Sequence, residues 1–340
     1  MPTPTPAPLP VAELHLHLDG TLEPDFIMET AARNGVDLPW NDLADLESRY
    51  AFTDLQSFLD LLYVNLTVLR TREDFAEMTR RYLARAAAAG VRHAEVSSDV
   101  QAHVRRGIPA QTVVGGIRDV LDRSEEDFGI TTRLIVSFWR DAPAEEALGL
   151  LRELIASGAR FDGIGLDSAE VGYPPSLFTE VYDLAREHGL HLVAHAGEEG
   201  PPSYITEALD VLRVERVDHG IRCLEDDAVV ERLVADQVPL TVCPLSNVRL
   251  RTVDTMADHP IMTMLERGLV VSINSDDPPY FGGHVDANVA AVQDTFGADD
   301  ATMARFARHS FVSSFLTDDE RARYLAEVDA WLEGRTAARG

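Results

Sequence analysis

The sequence contains no lysine: all 30 basic residues are arginines. That absence excludes a phosphate-loop lysine, a Schiff-base lysine and a carbamylated lysine bridging two metal ions. Cysteine is scarce as well. Cys223 and Cys243 are too few for a disulfide framework and fit a reducing cytoplasm. No stretch approaches the ~18 consecutive apolar residues that a membrane span requires. Positive charge is the minority sign, 30 basic against 57 acidic residues for a net charge of −27. A polyphosphate backbone would be repelled, so nucleic acid is not an expected partner. The opening MPTPTPAPLP lacks both a basic segment and a long apolar one. It reads as a disordered proline-rich tail over residues 1–10, not as a targeting signal.

What the chain does have is alternation. Short β-like runs recur at 11–18, 92–100, 131–139, 161–168, 191–197, 216–220, 239–245 and 269–275. Amphipathic stretches separate them, such as DFAEMTRRYLARAAAAG closing at Gly90 and PSLFTEVYDLAREHG closing at Gly189. A helix, a closing glycine and a strand form the βα unit, and eight units in a row predict a (β/α)8 TIM barrel. The long interval from Gly20 to about Arg70 predicts a helical insertion after the first strand, capping the barrel mouth. Beyond Pro278 a helical C-terminal extension is expected, and residues 11–340 form a single barrel domain. The runner-up is an open doubly wound sheet. Against it, the first strand is followed by LDGTLEP and not by a glycine-rich dinucleotide loop.

The strand runs end alike, in HLHLDG, LDSAE, AHAGEEG, VDHG, PLSN and NSDDP. Barrel enzymes assemble their sites at that level. His15 and His17 stand two apart, hence on one face of a strand, with Leu16 and Leu18 on the other. Two core histidines bonded to backbone would look the same in isolation. With His195 ending the fifth strand and Asp276 the eighth, three nitrogens and one oxygen can converge, a set that suits zinc before iron or manganese. Glu198 follows His195 across a turn at Gly197. Partly buried, its carboxyl would stay protonated and could act as a proton donor. His219 could orient a water or stabilise developing charge, with Asp218 as its structural partner.

HLHLDGT, AHAGEEG, DHG, CPLSN and SDDP, in this order, resemble the adenosine and adenine deaminases of the amidohydrolase superfamily. The similarity spans roughly residues 11–290. The resemblance implies one zinc ion per subunit held by His15, His17, His195 and Asp276, Glu198 as proton donor, His219 as catalytic histidine, and Asp277 bonding purine N7. Asp19, Ser168 and Glu170 are added as substrate contacts. Glu170 falls where the adenosine branch carries a glycine beside the purine, so it is expected to accept the ring N–H of a free base and to obstruct a ribose. The implied reaction is hydrolytic deamination of adenine to hypoxanthine and ammonia in the cytoplasm. Alternatives are adenosine or an N6-substituted adenine as substrate and, in a different class, a non-catalytic purine-binding barrel. Phe52, Phe58, Leu61 and Leu62 are candidates for an apolar lid. The partner is a small-molecule aminopurine, and homo-oligomerisation is left open.

Overall fold

The computed structural model describes residues 8–339. Eight strands run in the order β1 (Val11–His17), β2 (Val91–Ser98), β3 (Thr131–Trp139), β4 (Gly163–Asp167), β5 (His191–Ala196), β6 (Arg216–His219), β7 (Pro239–Val242) and β8 (Val270–Ile273). Neighbours in sequence are neighbours in the sheet, and every pairing is parallel. The seam between β8 and β1 closes through the residues just past β8. Leu14 N–H reaches Asn274 Oδ1 at 2.8 Å. His17 N–H reaches the Asp276 carbonyl at 3.0 Å, and Asp276 N–H the His15 carbonyl at 3.1 Å. The fold is the TIM barrel that the alternation predicts.

Several strands are shorter than their apolar runs. β7 stops at Val242 because Pro244 opens the helix Pro244–Arg249, where a missing N–H costs nothing. Of the tail expected over 1–10, residues 1–7 lie outside the described residues, while Leu9 and Pro10 are buried. Between β1 and β2 come helices α1 (Pro24–Asn34), α2 (Leu43–Ser48), α3 (Leu55–Leu66) and α4 (Arg72–Ala89). Each of the last two starts with a reciprocal capping box, Asp54 with Ser57 and Thr71 with Asp74. α4 ends at Gly90 with φ +95°. Among the described residues no helix is long and apolar enough to cross a membrane.

The other end of the barrel is sealed by charge as well as by apolar packing. The Arg216 guanidinium, fully buried, pairs with Glu95 at 2.5 Å and donates to the Leu14 carbonyl at 3.1 Å. Helix Asp300–Val312 leads into this region, where Ser313 O accepts from Arg216 at 3.3 Å and Phe315 N–H donates to Glu95 at 2.5 Å. Helix Asp318–Arg339 then packs on it through Tyr324 and Val328. Polar side chains are thus concentrated at both ends of an apolar barrel, and those at the carboxyl-terminal end line a pocket.

Candidate active site

The strand-end residues His17, Asp19, Asp99, Asp167, Ser168, His195, Glu198, His219, Asp276 and Asp277 line one pocket with Leu55, Phe58, Leu59, Leu62 and Tyr63 of α3. Of the four residues expected to form an apolar lid, Phe58 and Leu62 line the pocket. Leu61 is buried away from the pocket, and Phe52 packs edge-on against Phe58 with ring centroids 5.6 Å apart. Three site residues adopt φ near the left-handed region without being glycine: Ser168 at +71°, His219 at +65° and Asp276 at +64°. Such backbone costs of order 1–3 kcal/mol and turns the chain sharply inward where each strand ends.

Four imidazoles cluster with one carboxylate. His17 Nε2 lies 3.2 Å from His195 Nε2 and 3.4 Å from Asp276 Oδ1, and His15 Nε2 lies 3.5 Å from the same oxygen. Two ligands of a tetrahedral zinc, each ~2.0–2.1 Å from the ion, stand about 3.3 Å apart, so these separations are those of donors around one ion. His15 Nδ1 sits 3.1 Å from the Thr241 carbonyl, a pure acceptor, which assigns the proton to Nδ1. Its Nε2 is left buried with a free lone pair and no hydrogen-bond partner. Ser246 Oγ–H donates to Asp276 Oδ2 at 2.6 Å and turns Oδ1 toward the imidazoles. Burial and then neighbouring imidazoles, His15 first, hold His195 and His219 well below the usual histidine range, hence neutral. The donor set fits a single divalent cation. One grouping of mutually close donor atoms, all within 4.8 Å, contains His219 in place of His17. Five residues, not four, surround this centre.

His219 Nδ1 accepts from Asn247 Nδ2 at 3.4 Å, and Asn247 Oδ1 in turn lies 3.1 Å from His259 Nε2. The opposite ring nitrogen, Nε2, is 3.5 Å from Glu198 Oε2. Glu198 is pushed well above the usual carboxylate range by burial, and further by the charges of Asp276, Glu170 and Glu199. Asp218 is not the partner of His219. It accepts from Thr241 Oγ–H at 2.7 Å and lies 3.6 Å from His195 Nδ1, because consecutive strand residues point apart. Asp277 Oδ1 is buried without a partner. Its side chain lies over Gly20, where an added Cβ would come within 1.6 Å of Oδ1, so the glycine of HLHLDG is required by this carboxyl.

The other expected substrate contacts divide. Ser168 lines the pocket with its Oγ 3.4 Å from Tyr63 OH. Asp19 lines it too, but its carboxylate accepts from Asp99 N–H at 2.8 Å and faces His103 Nε2 at 2.5 Å. Glu170 requires a correction. It does not line the pocket; its carboxylate is 1% exposed and turned into the loop after β5, where four backbone N–H groups occupy it. Position in a motif does not set a carboxyl group's direction, which follows its partners. Unexpected in the pocket are Asp99, Asp167 and Tyr63. Asp167 is raised well above its usual range by burial and then by the facing Asp99. Both aspartates stand at strand ends, the signal that found the other site residues.

A (β/α)8 barrel that gathers imidazoles and a carboxylate at the carboxyl ends of its strands is built as an amidohydrolase. The chain belongs to the adenosine deaminase family, whose model matches residues 10–331. A curated adenine deaminase of Streptomyces coelicolor is 57% identical over 319 residues, covering 92% of this chain and 93% of that protein. The crystal structure of an adenine deaminase from Arthrobacter aurescens is also 57% identical, with a TM-score of 0.95 over 96% of this chain and 100% of that one. An amidohydrolase from Burkholderia ambifaria, solved with bound zinc, is 30% identical and gives a TM-score of 0.88 over 97% of this chain and 93% of its own.

Proposed function

We propose that the protein hydrolyses adenine to hypoxanthine and ammonia, using one zinc ion per subunit held by His15, His17, His195 and Asp276. The observation that carries the reading is the place of His219, whose Nε2 stands 3.5 Å from Glu198 Oε2 and 3.9 Å from Asp276 Oδ2 beside the imidazole cluster. The 57% identity to two proteins called adenine deaminase supports the free base as substrate. The bound zinc of the Burkholderia relative supports the choice of ion. Retention of both Glu198 and His219 speaks against a barrel that only binds purines. Two free, buried cysteines agree with a reducing cytoplasm.

Zinc, when bound, supplies a water acidified toward pKa ~7, and so a nucleophile at neutral pH. The remaining work falls to side chains. Glu198, held protonated, delivers its proton to N1 and draws electron density away from C6. His219, with Nδ1 engaged by Asn247, directs Nε2 to the oxygen arriving at C6 and stabilises its charge. Asp277 bonds N7; an Oδ1 with no protein partner supports this role. The apolar residues of α3 cover the base and exclude bulk water. Of the consumed water, the oxygen stays on C6, one proton restores the one Glu198 gave to N1, and the other leaves with ammonia.

Formation of hypoxanthine from adenine and N6-methyladenine, and of inosine from adenosine, measured on metal-quantified protein, tests the reading. Adenine should be preferred by at least about 100-fold in kcat/KM, a margin of ~2.7 kcal/mol. Equal or reversed preference would overturn the substrate assignment, and active protein without zinc would overturn the cofactor.

A further inference from the structure

We propose that Glu170 is a positioning residue for the proton donor: its carboxylate gathers four consecutive backbone N–H groups and thereby fixes where Glu198 stands. The inference rests on Glu198 being that donor. Glu170 Oε1 accepts from Gly197 N–H at 2.7 Å. Oε2 accepts from Glu198 at 3.0 Å, Glu199 at 2.8 Å and Gly200 at 2.7 Å. Four donors engage this carboxylate, which lies outside the pocket lining and so is not presented to a purine.

The arrangement is a concave nest of successive amides, of the kind that binds anions, filled here by the protein's own side chain. Its sequence requirements are visible. Gly197 turns the chain at φ +71°, and a Cβ on Gly200 would stand 2.5 Å from Glu170 Oε1 and 2.6 Å from its Cδ. The AHAGEEG motif therefore needs both glycines: one to bend away from β5, one to let the backbone close over the carboxylate. Arg140, fully buried, grips the same segment by donating to the His195 carbonyl at 2.6 Å and to the Tyr173 carbonyl at 2.9 Å. Arg222 holds it from the other side, donating to the Glu199 carbonyl.

Four charge-assisted bonds on four consecutive residues leave the loop no freedom to slide, and Glu198 is the second of the four. A displacement of about 1 Å in a reacting group costs roughly 100-fold in rate, which sets the size of the expected effect. Glutamine at 170 would put an NH2 donor against amide donors. Aspartate, shorter by one methylene, would keep the charge but not span all four amides.

The test compares wild type, Glu170→Gln, Glu170→Asp, Glu198→Gln and the double variant E170Q/E198Q. For Glu170→Gln we expect kcat for adenine to fall about 100-fold with KM within about threefold, zinc content unchanged, and amides 197–200 exchanging hydrogen at least about 10-fold faster. On the Glu198→Gln background the same substitution should cost kcat less than about threefold, because the donor it positions is already gone. A KM rise with unchanged kcat would make Glu170 a substrate contact and overturn the proposal. So would unchanged amide exchange, or a full additional loss in the double variant. If Glu170→Gln does not fold, Glu170→Asp carries the same comparisons, with a smaller kcat loss and partial protection expected. Failure of wild type to turn over adenine would refute the proposed reaction instead, while the exchange measurement would still decide whether Glu170 holds the loop.

Discussion

Replacing Gly20 by alanine isolates one structural cause of the site's geometry. The new Cβ would lie 1.6 Å from Asp277 Oδ1, 2.4 Å from its Cγ and 2.8 Å from its Cβ. Carbon and oxygen in contact stand ~3.5 Å apart, so the carboxyl must swing by about 2 Å and leave its place over the first strand's turn. Asp277 would then lose the bond to the ring nitrogen that we propose for it. A hydrogen bond involving a charged or strongly polar group is worth roughly 1.5–3 kcal/mol, or about 10–150-fold in kcat/KM. Strain in the packed turn should cost about 1–3 kcal/mol of stability besides. Asp277→Gly removes all three obstructing atoms, so the cycle of Gly20→Ala, Asp277→Gly and the double variant separates the two effects. Steady-state kinetics with adenine and urea unfolding are measured on each. The double variant should be no slower than Asp277→Gly alone, within about 0.5 kcal/mol, and should recover most of the lost stability. Additive losses in kcat/KM, or wild-type activity in Gly20→Ala, would refute the idea that this glycine exists to seat Asp277.

Two other predictions concern protons. Glu198→Gln should lower kcat by about 10²–10⁴-fold while zinc content, measured by elemental analysis, stays the same. Burial first, and then the charges around it, raise Glu198 well above the ordinary carboxylate range, and a donor works only when protonated. In wild type kcat/KM should therefore fall as pH rises through that raised value, and this limb should vanish in the residual rate of the variant. Glu95 acts on stability. Burial alone would raise its pKa, but Arg216 and His93 bring it to about 2 from 4.5. Its contribution, about 3 kcal/mol from that difference, is fully present above pH 4.5 and is lost as pH falls toward 2. Urea titrations between pH 3 and 7 should show this extra acid sensitivity in wild type and not in Glu95→Gln.

The strand-end rule points to most of the residues that line the pocket. Asp99 directly follows the second strand and Asp167 ends the fourth, so the same rule reaches both, and both line the pocket. Ser246 and Asn247 stand in CPLSN, a motif legible in the sequence, but their tasks of turning Asp276 and engaging His219 appear only with the contacts. Glu170 shows the limit most clearly. The motif suggests a carboxylate facing the substrate, but four amides 27 to 30 residues away take it instead.

Periodicity is local, so the chain alone determines which residues share a strand face and in what order strands and helices alternate. The barrel follows from that alternation, and the pairing of His15 with His17 follows from a two-residue repeat. Partner choice is different. Which oxygen faces a cation, which faces a loop, and which imidazole nitrogen keeps its proton depend on groups far off in sequence that meet only when the sheet closes. Desolvation, which raises the Glu198 carboxyl and holds His195 and His219 neutral, likewise exists only inside the finished barrel.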